Sequence, residues 1–516
     1  AVLLPCGAMK RMASAPRKPP VRRGRTTAKK GSSVTKLLLV VVGIVATVMF
    51  LSHDATLETE VVPDVRSLRG LQRAPTSSPT EKPITVAEMT DVLQRFVSGV
   101  HATFIEHSAD SREEVWEAYV GQVEEHLEPF ERKYAGKGVT PLRQKGEIFV
   151  SIAAYRDDML SNTLKELFLR AKDPTKIYAG VVMQNCNANC RTGVQVVSKK
   201  GEKTRTAVSD APPDPDGVAE FCATELGQVH CAAGRVRVLP VQEQESLGPA
   251  FARYLASKLW FGEEFFMQID AHIWFIEGWD DALKAALRAT PSFPKSVIST
   301  YPPSYEGHWQ GKHSGRLCGS EFSTSAIEDH IIRLDSGAVD HVKGPTPPYA
   351  TFVAAGFFAA QASFLIDAPY DPYLPFVFMG EELLLTAKFW TNGWDVYAPV
   401  ENICAHQYRP GRMGLPKFWE TTARTFNGRG GFNDRIGSLI INRIKYVVGY
   451  LDAKTKSDSV IVHLNDQGGP NYGLGTKRSL EAFLLYSNIN MMTMKAGFTE
   501  WCIKGRAPPE DLRKSN

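Results

Sequence analysis

The chain has 516 residues, 43% of them hydrophobic, so it can build a large core and is not a disordered chain. Its formal net charge of +4 hides an asymmetry: residues 1–36 hold ten Lys and Arg and no Asp or Glu, which leaves 50 basic against 56 acidic residues, a net −6, for the rest. A mildly acidic body argues against a nucleic-acid binder.

The basic tail, 1–36, abuts fifteen residues without a charge at 37–51, LLLVVVGIVATVMFL. As a helix this run spans roughly 22 Å, short for a bilayer core but extendable by the stem of Lys36. A signal anchor, a cleaved signal peptide and a buried helix are the competing readings. The long basic lead and the lack of a small-x-small exit favour an anchor over 37–52, with the basic side cytosolic. A short span suits the thinner membranes of the ER or Golgi, and the basic N-terminal flank makes the protein type II with a lumenal body; without the anchor the body would be cytosolic.

Residues 53–84 carry Pro, Ser, Thr and charges without periodicity, as an extended stem does. Thr85-x-x-Glu88 and Ser111-x-x-Glu114 are capping boxes. The first predicts an amphipathic helix through Met89, Val92, Leu93, Phe96 and Val100, the second a helix carrying Val115, Tyr119 and Val123. With too few heptads for a coiled coil, both read as packing surfaces, and stem plus helical lead-in occupy 53–145.

From Glu147 strands and helices alternate: a strand over 148–153, a helix over 163–171, strands over 177–183 and 236–239, a helix over 249–260, and a strand ending at Asp270. Such alternation predicts an α/β domain with a mostly parallel central sheet and a ligand beyond the carboxyl ends of its strands. Residues 187–234 are polar and rich in cysteine, an insertion. Beyond the anchor lie Cys186, Cys190, Cys222, Cys231, Cys318, Cys404 and Cys502, enough for three bridges and one thiol, with the connectivity unreadable. A zinc site on the first four lacks tight paired spacing.

Asp270-Ala271-His272 follows the apolar run 264–269. On a strand, residues i and i+2 share a face, so carboxylate and imidazole converge and can hold a divalent cation with positions open for ligand oxygens. Alone, the triplet reads more readily as an Asp capping a turn beside a packed His than as a pair of ligands. Further on, Gly380-Glu381-Glu382 starts an apolar helix that ends at Asn392-Gly393, with the acids favourably placed for the helix dipole and able to project into a site. A strand over 394–399 then leads to His406, which by itself would pass for a core histidine. Tyr472-Gly473-Leu474-Gly475 reads as a turn or as a loop over the site.

The segments GEIFVSIAAYRDD, YAGVVMQN, FFMQIDAHIWFIEGWD, VISTYPP, APYDPYLPFVFMGEELLLTAKFWTNGWDVYAP, ICAHQYR and YGLGTKRS, in this order, resemble the retaining polypeptide α-N-acetylglucosaminyltransferases. That family includes enzymes that modify hydroxyproline on the adaptor subunit of SCF ubiquitin ligases and Golgi enzymes that start mucin-type chains on threonine. A more distant similarity links the Asp-x-His and Gly-Glu elements to polypeptide N-acetylgalactosaminyltransferases. The resemblance implies a GT-A-type domain over 146–410, a C-terminal helical extension over 411–516, the donor UDP-N-acetylglucosamine, a divalent cation (Mn2+ or Mg2+), and a protein acceptor offering hydroxyproline, Thr or Ser. It makes Asp270, His272 and His406 metal ligands and places Tyr155, Arg156 and Asp157 near the uridine. Arg253 would meet the diphosphate, or else is a solvated helix-face charge; Glu381 (or Glu382) would meet the transferred sugar, and Tyr301 and Trp394 either border the acceptor groove or are packing aromatics. The hydroxyproline-modifying relatives are soluble, so the anchor tilts the acceptor toward secretory proteins. The alternatives are another UDP sugar such as UDP-GalNAc, a non-catalytic lumenal lectin or chaperone, and a metal hydrolase. The intact Asp270, His272 and His406 set disfavours the second, and the strand context and Gly-Glu helix the third.

Overall fold

The computed structural model describes residues 84–514, apart from 129–130, 132–142, 144, 193–195, 200–201, 206–208, 325–327, 409–417, 419–420, 423–431, 454–457, 462 and 465–470. The basic tail, the 37–52 segment and the stem as far as 83 lie outside the described residues. Among the described residues no helix is long and apolar enough to cross a membrane.

Both capping boxes form. Thr85 Oγ1 accepts from the Glu88 N–H at 3.2 Å, and the Glu88 carboxylate accepts from the Thr85 N–H at 2.8 Å. Ser111 and Glu114 do the same at 3.2 and 2.9 Å. They open the helices Val86–Glu106 and Arg112–His126, and each such cap is worth about 1 kcal/mol. Leu93, Phe96 and Val100 on the first helix and Val115, Tyr119 and Val123 on the second are buried, as their spacing predicts. The Tyr119 hydroxyl donates to the Pro372 carbonyl at 2.5 Å, which ties this lead-in to the loop that precedes Glu381.

Among the described residues, seven strands make the central sheet, in the order 395–397, 296–299, 357–361, 265–270, 148–155, 177–185 and 236–242. Only Phe357–Gln361 runs against the rest, pairing antiparallel with both of its neighbours, so the sheet is mostly parallel. Alternate side chains feed two cores, one on each face. Phe149, Val182, Phe266 and Phe358 pack with the helix Pro249–Ser257 on one face. Val150, Val181, Met267 and Ala359 pack with the helices Leu160–Leu169 and Trp279–Arg288 on the other. Gly180 is demanded by this packing, since a Cβ there would lie 2.2 Å from the Phe149 ring. Strand direction puts Tyr155, Asn185, Asp270 and Ser299 along one edge.

The 187–234 segment is an elaboration of that edge, with short antiparallel pairs, the helices Gly217–Cys222 and Glu225–Ala232, and two disulfides, Cys186–Cys190 and Cys222–Cys231. The third bridge, Cys318–Cys502, joins residues 184 apart, and Cys404 is a buried thiol. The segment after 410 is helical in part, with the helices Phe432–Val447 and Leu480–Tyr486, and also carries a small hairpin, Ile489–Asn490 with Lys495–Ala496. It folds back on the sheet: Arg478 and Arg513 both clamp Asp395, at 2.8 and 2.6 Å. Tyr472-Gly473-Leu474-Gly475 packs at the end of the Glu381 helix, where the Gly475 N–H donates to Thr391 Oγ1 at 2.9 Å, so it is a packed turn and not a cover for the site.

Candidate active site

The strand Phe265–Asp270 pairs with the strand Ile148–Tyr155 in a register that sets Asp270 opposite Ala153. The strand stops at Asp270, so His272 reaches the same side through a bend at 271–272 and not by continuing the pleat. Immediately after it, Ile273–Phe275 pairs antiparallel with Cys404–His406, placing His406 opposite Ile273. The Gln407 N–H donates to the His272 carbonyl at 3.1 Å and locks this crossing. Backbone pairing alone thus delivers an imidazole from 136 residues away onto Asp270, with His406 Nε2 at 3.2 Å from Asp270 Oδ2.

Asp270, His272 and His406 each offer a ligand atom, and these atoms lie within 4.8 Å of one another. The two imidazoles meet edge to face, centroids 4.5 Å apart. Asp157 Oδ2 accepts from His272 Nδ1 at 2.8 Å, and His406 Nδ1 is buried without a hydrogen-bond partner among the described residues. Gly356 flanks the cluster, and a Cβ on it would come within 2.9 Å of Asp270 Oδ2.

Arg253, on the helix Pro249–Ser257, reaches over the sheet edge and grips two acids: Nη2 donates to Asp270 Oδ1 at 3.0 Å and Nη1 donates to Glu381 Oε2. Glu381 and Glu382 start the helix Glu381–Thr391 behind Gly380, whose φ of 93° is the left-handed turn that a glycine takes without strain. Their roles differ. Glu382 has both oxygens engaged, Oε1 by the Ala355 N–H at 2.9 Å and Oε2 by the Tyr301 hydroxyl at 2.7 Å. Glu381 keeps Oε1 buried without a partner among the described residues. Burial pushes both carboxyls up from the ordinary range. For Asp270, burial acts in the same sense, but the His406 hydrogen bond and the Arg253 charge outweigh it and hold the carboxyl well below that range.

Several residues expected at the ligand have other partners. Arg156 is buried, with Nε and Nη2 on the Asp214 carboxylate at 2.7 and 3.1 Å, so its guanidinium ties the sheet edge to the cysteine-rich segment. Tyr155 is partly buried and packs edge-on against Phe418, while Asp157 faces His272. Arg253 lies between two carboxylates, and Tyr301 aims its hydroxyl at Glu382 instead of an open groove. Trp394 borders no groove: it is 1% exposed, packs against Phe389 and Phe364, and donates Nε1–H to Asp367 at 2.8 Å. The reason is that the strand begins at Asp395, which leaves Trp394 under the helix it follows. Tyr408, unnoticed in the sequence, sits 4.3 Å from the His406 ring and is half exposed; its place two residues after His406 was the available signal.

The family profile described as Glycosyltransferase (GlcNAc) matches residues 147–493. Among curated proteins, none matches the chain. Among solved structures the chain is similar to GalNAc-T7 with UDP, GalNAc and Mn2+, at 15% identity and a TM-score of 0.36, over 60% of this chain and 49% of that one. It is similar also to S. aureus TarS 1–349 in complex with UDP-GlcNAc, at 14% identity and a TM-score of 0.29, over 58% of this chain and 70% of that one. The chain spans about half the length of the GalNAc-T7 structure.

Proposed function

We propose, from the premise that this chain belongs to the glycosyltransferase (GlcNAc) family, that it moves N-acetylglucosamine from UDP-N-acetylglucosamine to a hydroxyl of a protein acceptor with retention of configuration, on a GT-A-type domain. One observation carries the reading: Asp270, His272 and His406 gather at the carboxyl edge of the sheet, with Arg253 and Glu381 against Asp270. One carboxylate oxygen and two imidazole nitrogens, beside a glycine that leaves the space clear, are a donor set that fits a divalent cation. Two imidazoles suit Mn2+ better than Mg2+, which prefers oxygen throughout. A cation held there supplies positive charge against a departing diphosphate and makes it a better leaving group.

The chain's own groups supply the remainder. Arg253 keeps Asp270 ionised, holds it by Oδ1, and adds a fixed positive charge at the same edge. Glu381 Oε1 is the acceptor that faces the transferred sugar, where a carboxylate stabilises the positive charge that grows on the ring. Glu382 is the brace, fixed by Tyr301 and Ala355, that sets the start of the Glu381 helix. In the retaining step the bond from the sugar's anomeric carbon to the diphosphate breaks and a bond to the acceptor oxygen forms on the same face. The acceptor's proton passes to the departing phosphate. A covalent glycosyl-Glu381 species trapped by mass spectrometry would overturn this route.

The acceptor residue is Thr, Ser or hydroxyproline of a secretory protein, and the 37–52 segment anchors the chain as a type II protein of the ER or Golgi. Three disulfides support a lumenal body, because such bridges persist in oxidising compartments. The function is tested by incubating the purified chain with Mn2+ and UDP-GlcNAc, UDP-GalNAc or UDP-glucose and following UDP release. Turnover should be fastest with UDP-GlcNAc; faster turnover with UDP-GalNAc, or none with any of the three, refutes the assignment. Recovery of the full chain in the soluble fraction without detergent would refute the anchor.

A further inference from the structure

Asp157 lies two residues beyond the end of the strand Ile148–Tyr155, which neighbours that of Asp270, and both of its oxygens are committed. Oδ1 accepts from the Met159 N–H at 2.8 Å, an Asx turn that leads into the helix Leu160–Leu169, and Oδ2 accepts from His272 Nδ1 at 2.8 Å. The residue before it, Arg156, has a φ of 49°, a left-handed conformation uncommon outside glycine. It is maintained by the Asp214 pair and by the Arg156 N–H on the Gln184 carbonyl at 2.9 Å. That reversal turns the chain at the sheet edge so that Asp157 faces across to His272 and not outward along its own strand.

We propose that Asp157 is a positioning residue for the metal centre, holding the His272 ring in one tautomer and one orientation toward the cation. A carboxylate can only accept, so the proton it binds sits on Nδ1, and the donor His272 offers to an ion is then Nε2. A carboxylate behind a histidine ligand fixes the ring and raises its basicity, and loss of such a partner commonly costs roughly 10- to 100-fold in metal affinity. The inference rests on the reading of Asp270, His272 and His406 as a cation site, and it gives Asp157 a different task from contact with the uridine. It also extends the centre into the cysteine-rich segment, since Asp214, which holds Arg156, accepts from the Cys186 N–H at 2.8 Å beside the Cys186–Cys190 bridge.

The test measures Mn2+ binding to the purified full chain by electron paramagnetic resonance, with and without UDP, for the wild type, Asp157→Ala and Asp157→Asn. Asp157→Ala should weaken Mn2+ binding at least roughly 10-fold. Asp157→Asn should fall between, because its single carbonyl oxygen cannot serve both the Met159 N–H and the His272 ring. Should Asp157→Ala fail to fold, nitrogen-15 spectra of histidine-labelled, metal-free wild type and Asp157→Asn carry the test. In the wild type the His272 proton should reside on Nδ1, and in Asp157→Asn the two tautomers should mix. Mn2+ affinity within twofold of wild type in Asp157→Ala, or a wild-type His272 protonated on Nε2 alone, overturns the proposal. Loss of discrimination between UDP and ADP at full Mn2+ affinity overturns it too and returns Asp157 to the nucleotide. A wild type that binds no Mn2+, with or without UDP, overturns the cation site itself and this inference with it.

Discussion

Replacing Glu381 and Glu382 separately by Gln separates the acid that faces the ligand from the acid that braces the helix. In Glu381→Gln the side-chain carbonyl still accepts from Arg253, and the orphaned Oε1 position carries no internal bond to lose. The amide that replaces Oε1 is buried without a partner and Arg253 keeps only the Asp270 charge, so the fold should lose roughly 2 kcal/mol. What disappears is negative charge at a preorganised, buried position, for which a 100- to 1,000-fold fall in kcat is the expected order. Glu382→Gln differs from it in turnover. Its two oxygens each accept, from the Ala355 N–H and the Tyr301 hydroxyl, whereas Gln has one acceptor, so one donor is left buried and unmet. That costs roughly 2 kcal/mol, a drop of roughly 2 °C in Tm for a unit of this size, with a kcat loss of about 10-fold or less from slackened geometry. Thermal melts and UDP release from UDP-GlcNAc, measured on the same preparations, read both quantities. A Glu382→Gln protein that keeps its Tm while losing more turnover than Glu381→Gln would refute the assignment of roles.

Three further expectations follow from the same structure. Stripping with EDTA should abolish UDP release, and Mn2+ should restore it better than Mg2+ because two of the three ligands are imidazoles; full turnover in the stripped protein would contradict the cation site. Burial draws the Lys388 ammonium down from 10.5 to about 8. Between those values the unfolded chain holds a proton that the native chain lacks, so native stability rises with pH across that window; below about 8 both states are protonated and a deficit of roughly 3 kcal/mol persists. Lys388→Met should stabilise the protein by roughly 2 kcal/mol at pH 7, after loss of the bond to the Pro369 carbonyl, and should flatten urea-denaturation stability between pH 8 and 9. Cys502→Ser opens the bridge to Cys318, which spans 184 residues, and chain entropy sets the cost at about 5 kcal/mol, measurable as a fall in the urea midpoint.

The fold and the grouping of the candidate site residues were legible in the sequence to different depths. Capping boxes at Thr85 and Ser111 and the strand and helix alternation from Glu147 are local patterns, and local patterns survive into the structure. Asp270 and His272 were legible because they are two residues apart. From residue pattern alone His406 reads as a core histidine, and only the family resemblance puts it with Asp270 and His272, since its approach depends on the pairing of 404–406 with 273–275. Asp157 illustrates what was missing. Its contact with His272 needs the register that sets Ala153 opposite Asp270, plus the left-handed turn at Arg156, and neither is written in any window of residues. Arg253 suffers the same limit, for a helix can be read from periodicity while its height above a sheet edge cannot. For Trp394 the two readings, groove and packing, are undecided in the sequence, and the structure takes the packing one because the helix before it folds down on top.

The bookkeeping of the acidic oxygens explains why these pieces amount to a site. Asp157 gives one oxygen to Met159 and one to His272, Asp270 one to Arg253 and one to His406, and Glu382 one each to Ala355 and Tyr301. Glu381 gives Oε2 to Arg253, and its Oε1 has no partner among the described residues. Buried polar atoms are satisfied almost everywhere in folded proteins, so an unmet carboxylate oxygen beside this cluster has acceptor capacity to offer. The neighbours are rigidly committed, and the unmet acceptor lies on the acid that Arg253 links to the metal-type cluster. Internal bonds hold the carboxylates of Asp157, Asp270 and Glu382 in place, while Glu381 Oε1, His406 Nδ1 and Arg253 Nε have no partner among the described residues; fixed acids around an unmet acceptor are what preorganisation requires, because the polar environment is then in place before charge develops.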